Sequence, residues 1–143
     1  MNIVIGNDHA GTEYKQALVE LIEQMGHSVQ NYGTDDNASV DYPDHVHPVA
    51  KDVASGIANY GVLICGSGNG VCMTANKYQN VRAALCWSDE IAVLGRSHND
   101  ANIICIPARF VSLDEAKLMV TKFINEPFEG GRHQNRVNKI PCA

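Results

Sequence analysis

Five short strand-like runs, most of them apolar and each followed by a stretch with helical spacing, constrain the fold of this chain more than any other feature. They occupy residues 1–6, 27–32, 62–65, 82–86 and 102–106. After the first run, residues 12–25 place Ala17, Leu18, Leu21, Ile22 and Met25 at core-facing helical spacing, and Gly26 stops the pattern. A polar loop precedes a second helix over 45–58, with Pro48 tolerable in its first turn. A third helix is expected over 70–77. Ser88 reads as an N-cap with Asp89 and Glu90 behind it, and Ser112, Asp114 and Glu115 open a last long helix that ends near Pro127. Strands alternating with helices imply a mostly parallel sheet covered on both faces. The expected fold is a three-layer α/β/α sandwich, doubly wound and Rossmann-like, with five parallel strands. No repeat, linker or low-complexity segment divides the 143 residues, so one domain over 1–143 is expected.

Ligands in such sheets bind beyond the carboxyl ends of the strands. Asp8 and His9 follow the first strand, Cys65 to Gly70 the third, and Arg109 the fifth, so these residues are expected to share one edge. His98, Asn99 and Asp100 precede the fifth strand and break the rule. A long loop or a second subunit would have to carry them to that edge.

The run GVLICGSGNG, residues 61–70, holds the strongest chemical signal. An apolar strand, Val62 to Ile64, ends at Cys65, and Gly66, Gly68 and Gly70 follow at every second position. A thiol thus stands beside a loop of exposed backbone amides, a pairing able to remove a proton from carbon and hold the resulting charge. The loop is not a dinucleotide fingerprint: it follows the third strand, and Val71 stands where a further glycine is needed. Nor is it a Walker loop, since no Gly-Lys-Ser/Thr follows. A purely structural turn remains the alternative on spacing alone. Cys65 likewise reads either as a small core hydrophobe or as a general base, its thiol brought toward neutrality by the amides and helix start beside it.

Composition narrows the partners. Sixteen acidic residues against 11 basic ones give a formal charge of −5, which argues against broad nucleic-acid binding. The basic residues Arg132, Arg136 and Lys139 gather in a tail without acids, residues 130–143, better suited to a small anion than to a polymer. On a helix, Arg132 and Arg136 would project from one face as a phosphate clamp; the alternative is a solvated basic tail. Cys65, Cys72, Cys86, Cys105 and Cys142 show no C-x-x-C spacing, so reduced thiols in a cytoplasm are expected. The last four read as core or surface residues. The first run carries no basic stretch, and no segment approaches a membrane span, so neither a signal peptide nor a membrane partner is expected. Asp8 and His9 form either a turn or a grip on sugar hydroxyls or phosphate. His45 and His47, two apart, fall on different faces of a helix, and no metal site is expected there.

Seven segments in series carry a resemblance: GNDHAG (6–11), DYPD (41–44), ICGSGNG (64–70), ANK (75–77), RAALC (82–86), RSHNDAN (96–102) and GGRHQNRVNKI (130–140). Together they resemble the ribose-5-phosphate isomerase B family, which also includes galactose-6-phosphate and allose-6-phosphate isomerases. The matches cover nearly the whole chain, residues 3 to 140. The resemblance implies a cofactor-free, metal-free interconversion of an aldose phosphate and its ketose phosphate through a cis-enediolate, as in the pentose phosphate pathway. It implies that Cys65 moves the proton between C2 and C1 and that the amides of Gly66, Ser67, Gly68, Asn69 and Gly70 hold the oxyanion. His98 would open the furanose ring, with Asp8 or Ser67 assisting. His9, Arg109, Arg132 and Arg136 would bind phosphate, and Asn99 the sugar oxygens. One branch of the family uses a glutamate just after the glycine loop as base; with Val71 there and Cys65 present, this chain matches the cysteine branch. The family also implies a homodimer or homotetramer with sites at the subunit interface, against which residues 128–143 would pack.

The expected activity is therefore that of a ribose 5-phosphate isomerase, with allose 6-phosphate or galactose 6-phosphate as alternative substrates. Tyr42 and Thr34 are the residues expected to set sugar length. A non-catalytic nucleotide- or phosphate-binding module is the reading from another class. A cysteine hydrolase or redox enzyme is a third, and it lacks a resolving cysteine at C-x-x-C spacing.

Overall fold

The structure, a computed structural model, describes residues 1–142. Strands β1 (Asn2–Asn7), β2 (Ser28–Asn31), β3 (Tyr60–Cys65), β4 (Ala83–Leu85) and β5 (Ile103–Pro107) form one sheet in the order β2-β1-β3-β5-β4. Every pairing is parallel. The helices are α1 (Thr12–Gln24), α2 (Tyr42–Ala54), α3 (Asn69–Ala75), α4 (Asp89–Asn99), α5 (Leu113–Asn125) and α6 (Arg132–Val137).

The central strands are continuous apolar runs because both of their faces are covered. Side chains alternate across a strand, so each run divides between two cores. Ile3, Ile5, Val62, Ile64, Ile104 and Ile106 pack with Leu18 and Ile22 of α1 and Met119 and Phe123 of α5. Val4, Leu63, Ile103 and Cys105 face the other way, onto Val46 and Val49 of α2 and Val71 and Ala75 of α3. Gly6 permits α2 to lie directly on β1: a Cβ there would stand 2.4 Å from the His45 carbonyl oxygen.

Two helices depart from expectation. α2 begins at Tyr42, because Pro43 rather than Pro48 occupies its first turn, where a missing N–H costs nothing. Pro48 lies inside the helix, which ends at Ala54 before Gly56 takes a φ of 80°. In α1 the buried stripe is Thr12, Lys15, Leu18 and Ile22, with Ala17 and Leu21 at its margin. Lys15 joins that stripe by burying its alkyl stem and pairing its ammonium with Asp35. The caps of α4 and α5 form as read: Ser88 Oγ accepts from the Ile91 amide (3.3 Å) and Ser112 Oγ from the Glu115 amide (3.1 Å). The basic tail is ordered into α6, which packs on α4 with His133 and Val137 buried. Among the described residues no helix is long and apolar enough to cross a membrane.

Candidate active site

From β1 the chain passes to β2 on one side of the sheet, while β3 adjoins β5 on the other, so the loops after β1 and β3 flank the switch point where such sheets bind ligands. The Asp8 amide donates to the Ile64 carbonyl (3.2 Å) and stitches these loops together. Asp8 Oδ1 accepts from the Ala10 amide (2.9 Å), fixing a short 3-10 turn at His9–Gly11. His9 Nδ1 accepts from the Val40 amide (3.3 Å), and buried Asn7 donates through Nδ2 to the Asp8 (2.8 Å) and Thr34 (3.2 Å) carbonyls. The loop before α2 is thereby held over the same crevice.

Cys65 ends β3 opposite Pro107 of β5, with its thiol almost buried. Gly68 turns its amide back to donate to Cys65 Sγ at 3.2 Å, and the Asn69 amide donates to Ser67 Oγ at 3.3 Å. That turn requires glycine: Gly68 has φ 76°, and a Cβ would stand 2.5 Å from Leu85 Cδ1. The Arg109 amide donates to the Gly66 carbonyl (3.0 Å), and its guanidinium lies against Gly66. The Tyr42 ring lies on Gly70, where a Cβ would meet it at 2.4 Å. Asp8, His9, the glycine loop and Arg109 thus share one edge, as expected, and Tyr42 forms a wall.

His98 and Asn99 do not join them in the same chain. They end α4, just before β5, at the opposite edge. The Asn102 carbonyl accepts from the Gly61 amide at 2.9 Å, at the start of β3, and Cys65 lies four residues further on, about 13 Å along the strand. Ring opening by His98 with Asp8 or Ser67 is therefore not assembled within one chain. Asp100 reverses the chain after α4 with a φ of 49°, and its carboxylate meets Arg96 (2.8 Å) and Arg82 (3.5 Å). Arg96, buried, also donates to the Ala101 (2.6 Å) and Glu126 (3.2 Å) carbonyls and lies 4.7 Å over the Tyr60 ring. These two residues of the 96–102 segment hold α4 in place.

The His98 ring stacks on His133 of α6, centroids 4.3 Å apart and planes 15° from parallel. Glu129 Oε2 lies 3.3 Å from His133 Nε2 and 3.9 Å from His98 Nε2. Burial lowers the His133 pKa below the ordinary imidazole value; His98 and Arg132 add to this and Glu129 opposes it. Arg132 and Arg136 project from α6 into solvent. A cleft of about 780 Å³ lies beside edge strand β4, away from Cys65; Asn99, Leu94 and Ile140 help line it.

Glu129 belongs to no motif and was not legible as a site residue, although Glu129 and His133 stand four apart; Arg96 opens the 96–102 segment, but its anchoring role was not legible there. Among the cysteines, burial pushes Cys86 up to about 12 and Cys105 well above the usual thiol value. Cys72, read as bland, has a lowered pKa because Cys105 hydrogen-bonds to it. His45 and His47 keep separate partners, the Tyr32 carbonyl (2.8 Å) and the Tyr78 hydroxyl (2.7 Å).

A strand-end thiol under a glycine turn, at the switch point of a doubly wound sheet, defines the class as an α/β protein with a small-ligand site at the carboxyl edge of its sheet. The ribose/galactose isomerase family model matches residues 3–140, and the chain belongs to that family. It is 39% identical over 138 residues to ribose-5-phosphate isomerase B of Escherichia coli K12, covering 96% of this chain and 93% of that one. The structure of the Clostridium thermocellum ribose-5-phosphate isomerase B superposes with a TM-score of 0.96 at 43% identity, covering 98% of this chain and 95% of the other. That of the Mycoplasma genitalium enzyme, which holds ribulose-5-phosphate, superposes with a TM-score of 0.94 at 42% identity, covering 97% and 93%.

Proposed function

We propose that this protein interconverts ribose 5-phosphate and ribulose 5-phosphate through a cis-enediolate, with Cys65 as the base. The observation that carries this is the Cys65 thiol at the end of β3, accepting from the Gly68 amide beside the β1 and β3 loops. Cys65 takes the proton from C2 of the open aldose and returns it to C1, while O1 and O2 carry the enediolate charge. Gly68 and Asn69 already direct their amides to Cys65 and Ser67, so Gly66, Ser67 and Gly70 are the donors left to face that charge. Asp8 holds a sugar hydroxyl, and His9 and Arg109 bind phosphate. Tyr42 limits the length of the sugar.

The amino-edge groups act from a second copy of the chain. His98 donates the proton that opens the furanose ring, Asn99 contacts the sugar oxygens, and Arg132 and Arg136 clamp the phosphate. An open edge strand, β4, with exposed Leu94 and Ile140 beside its cleft supports pairing on this side, by residues 128–142 among others. The chain works as one isomerase domain in a cytoplasmic homodimer or in a homotetramer built from two such dimers.

A side-by-side assay with ribose 5-phosphate, allose 6-phosphate and galactose 6-phosphate tests the substrate; no turnover of any of them overturns the reading. Mixing tests the shared site. Cys65→Ala and His98→Asn proteins, each inactive, should on unfolding and refolding together regain roughly a quarter of wild-type activity, since one site in each mixed dimer is intact. No recovery would place both residues in one chain's site.

A further inference from the structure

We propose that His98, Glu129 and His133 form a site for a divalent transition-metal ion such as zinc, and that its occupation blocks the isomerase. The three donor atoms lie within 4.8 Å of one another. Zinc bonds to imidazole nitrogen and carboxylate oxygen are about 2.0 to 2.2 Å, which puts tetrahedral neighbours about 3.3 to 3.5 Å apart. The His133–Glu129 separation is already 3.3 Å, and His98–Glu129 is 3.9 Å. His133 supplies the independent sign of a missing ligand: it is only 6% exposed, and its Nε2 is buried with no hydrogen-bond partner among the described residues, Glu129 Oε2 lying 3.3 Å away without making a hydrogen bond to it.

The scaffold is tied. The Glu129 amide donates to the Ser97 carbonyl (3.0 Å) beside His98, and the His133 amide to the Gly130 carbonyl (3.0 Å). The two rings are stacked with planes 15° from parallel, and His98, half-exposed in the last turn of α4, is the more accessible of the two imidazoles. Two imidazoles and one carboxylate suit zinc, cobalt, nickel or copper rather than magnesium or calcium. Arg132 and Arg136 on the same helix repel a cation, so the ion is held reversibly. Metal on His98 Nε2 removes the ring-opening proton donor; this inhibitory consequence, unlike the site, rests on the proposed function.

Cobalt(II) titration of the full-length Cys65→Ser protein, followed by absorption, tests the site without the candidate catalytic thiol. Expected are ligand-field bands with no thiolate charge-transfer band, and binding weakened about tenfold or more in Glu129→Gln. Unchanged affinity in Glu129→Gln, a thiolate band, or no binding overturns the site. In the isomerase assay zinc should inhibit, and Glu129→Gln should raise the half-inhibitory zinc concentration by the same factor; an equal concentration overturns the inhibitory role. A protein that binds cobalt through Glu129 but turns over no sugar phosphate would remove the proposed function and leave the metal site standing.

Discussion

The carboxyl edge of the sheet is built by backbone, and the amino edge by side chains. At the first, amides and carbonyls of the β1, β3 and β5 loops bond one another, and the Gly68 amide donates to Cys65 Sγ. At the second, His98, Glu129 and His133 come from the end of α4, a loop and α6, held by the buried guanidinium of Arg96. A backbone-built site is destroyed by changes to main-chain geometry and tolerates neighbours; a side-chain cluster loses its members one at a time.

The largest effect is expected at the carboxyl edge. Cys65→Ala should lower kcat by roughly 10² to 10⁴, the range for a lost general base, with little change in melting temperature. Near-normal turnover would make the amino edge the chemical half. Gly68→Ala should lower activity and stability together. Its φ of 76° is strained for an L residue and its Cβ meets Leu85 Cδ1 at 2.5 Å, at a cost of about 1 to 3 kcal/mol by denaturant unfolding. Adding Leu85→Ala should relieve the contact but not the strained backbone, so turnover should stay low; full recovery would mean that packing alone, and not the turn, makes the site.

This difference also explains what could be read from the chain. Alternation of strands and helices fixed the parallel sheet, and the carboxyl-end rule placed Asp8, His9, Cys65 to Gly70 and Arg109 together, because both follow from local order along the chain. Pro48 misled because two prolines competed for one first turn. Lys15 in the buried stripe of α1 was hidden by its charge, since only the structure shows Asp35 within its reach. Glu129 was not legible because its partner His98 lies 31 residues away, on an element whose end no periodicity marks as a neighbour.

At the amino edge Arg132→Ala should raise KM by about tenfold or more, as expected for a lost charge-assisted phosphate contact, and leave kcat nearly unchanged. A fall in kcat with KM intact would shift the arginine from binding to chemistry and draw the two edges closer in role. An unchanged KM would leave α6 a solvated surface, with His133 its only buried polar group.

The smallest effect should appear in stability against pH. Folded His133 has a pKa below the ordinary value of about 6.5, through burial first and then His98 and Arg132. Above pH 6.5 both folded and unfolded chains keep this ring neutral, so it contributes no slope. Below it the unfolded chain binds a proton that the folded one refuses, and stability falls as pH drops, down to the folded pKa. The carboxylates lowered by ammonium partners, Asp35 with Lys15 and Asp89 with Lys122, titrate in a separate window. Their stabilisation is present above the unfolded value of about 3.9 and is lost only below it. Urea unfolding between pH 7 and 5 should therefore show a shallower pH slope in His133→Asn than in the wild type, whatever the absolute loss from the substitution. Equal slopes would mean that the His133 ring is as free to charge as in an unfolded chain, and the amino edge would then be no more enclosed than the arginines beside it.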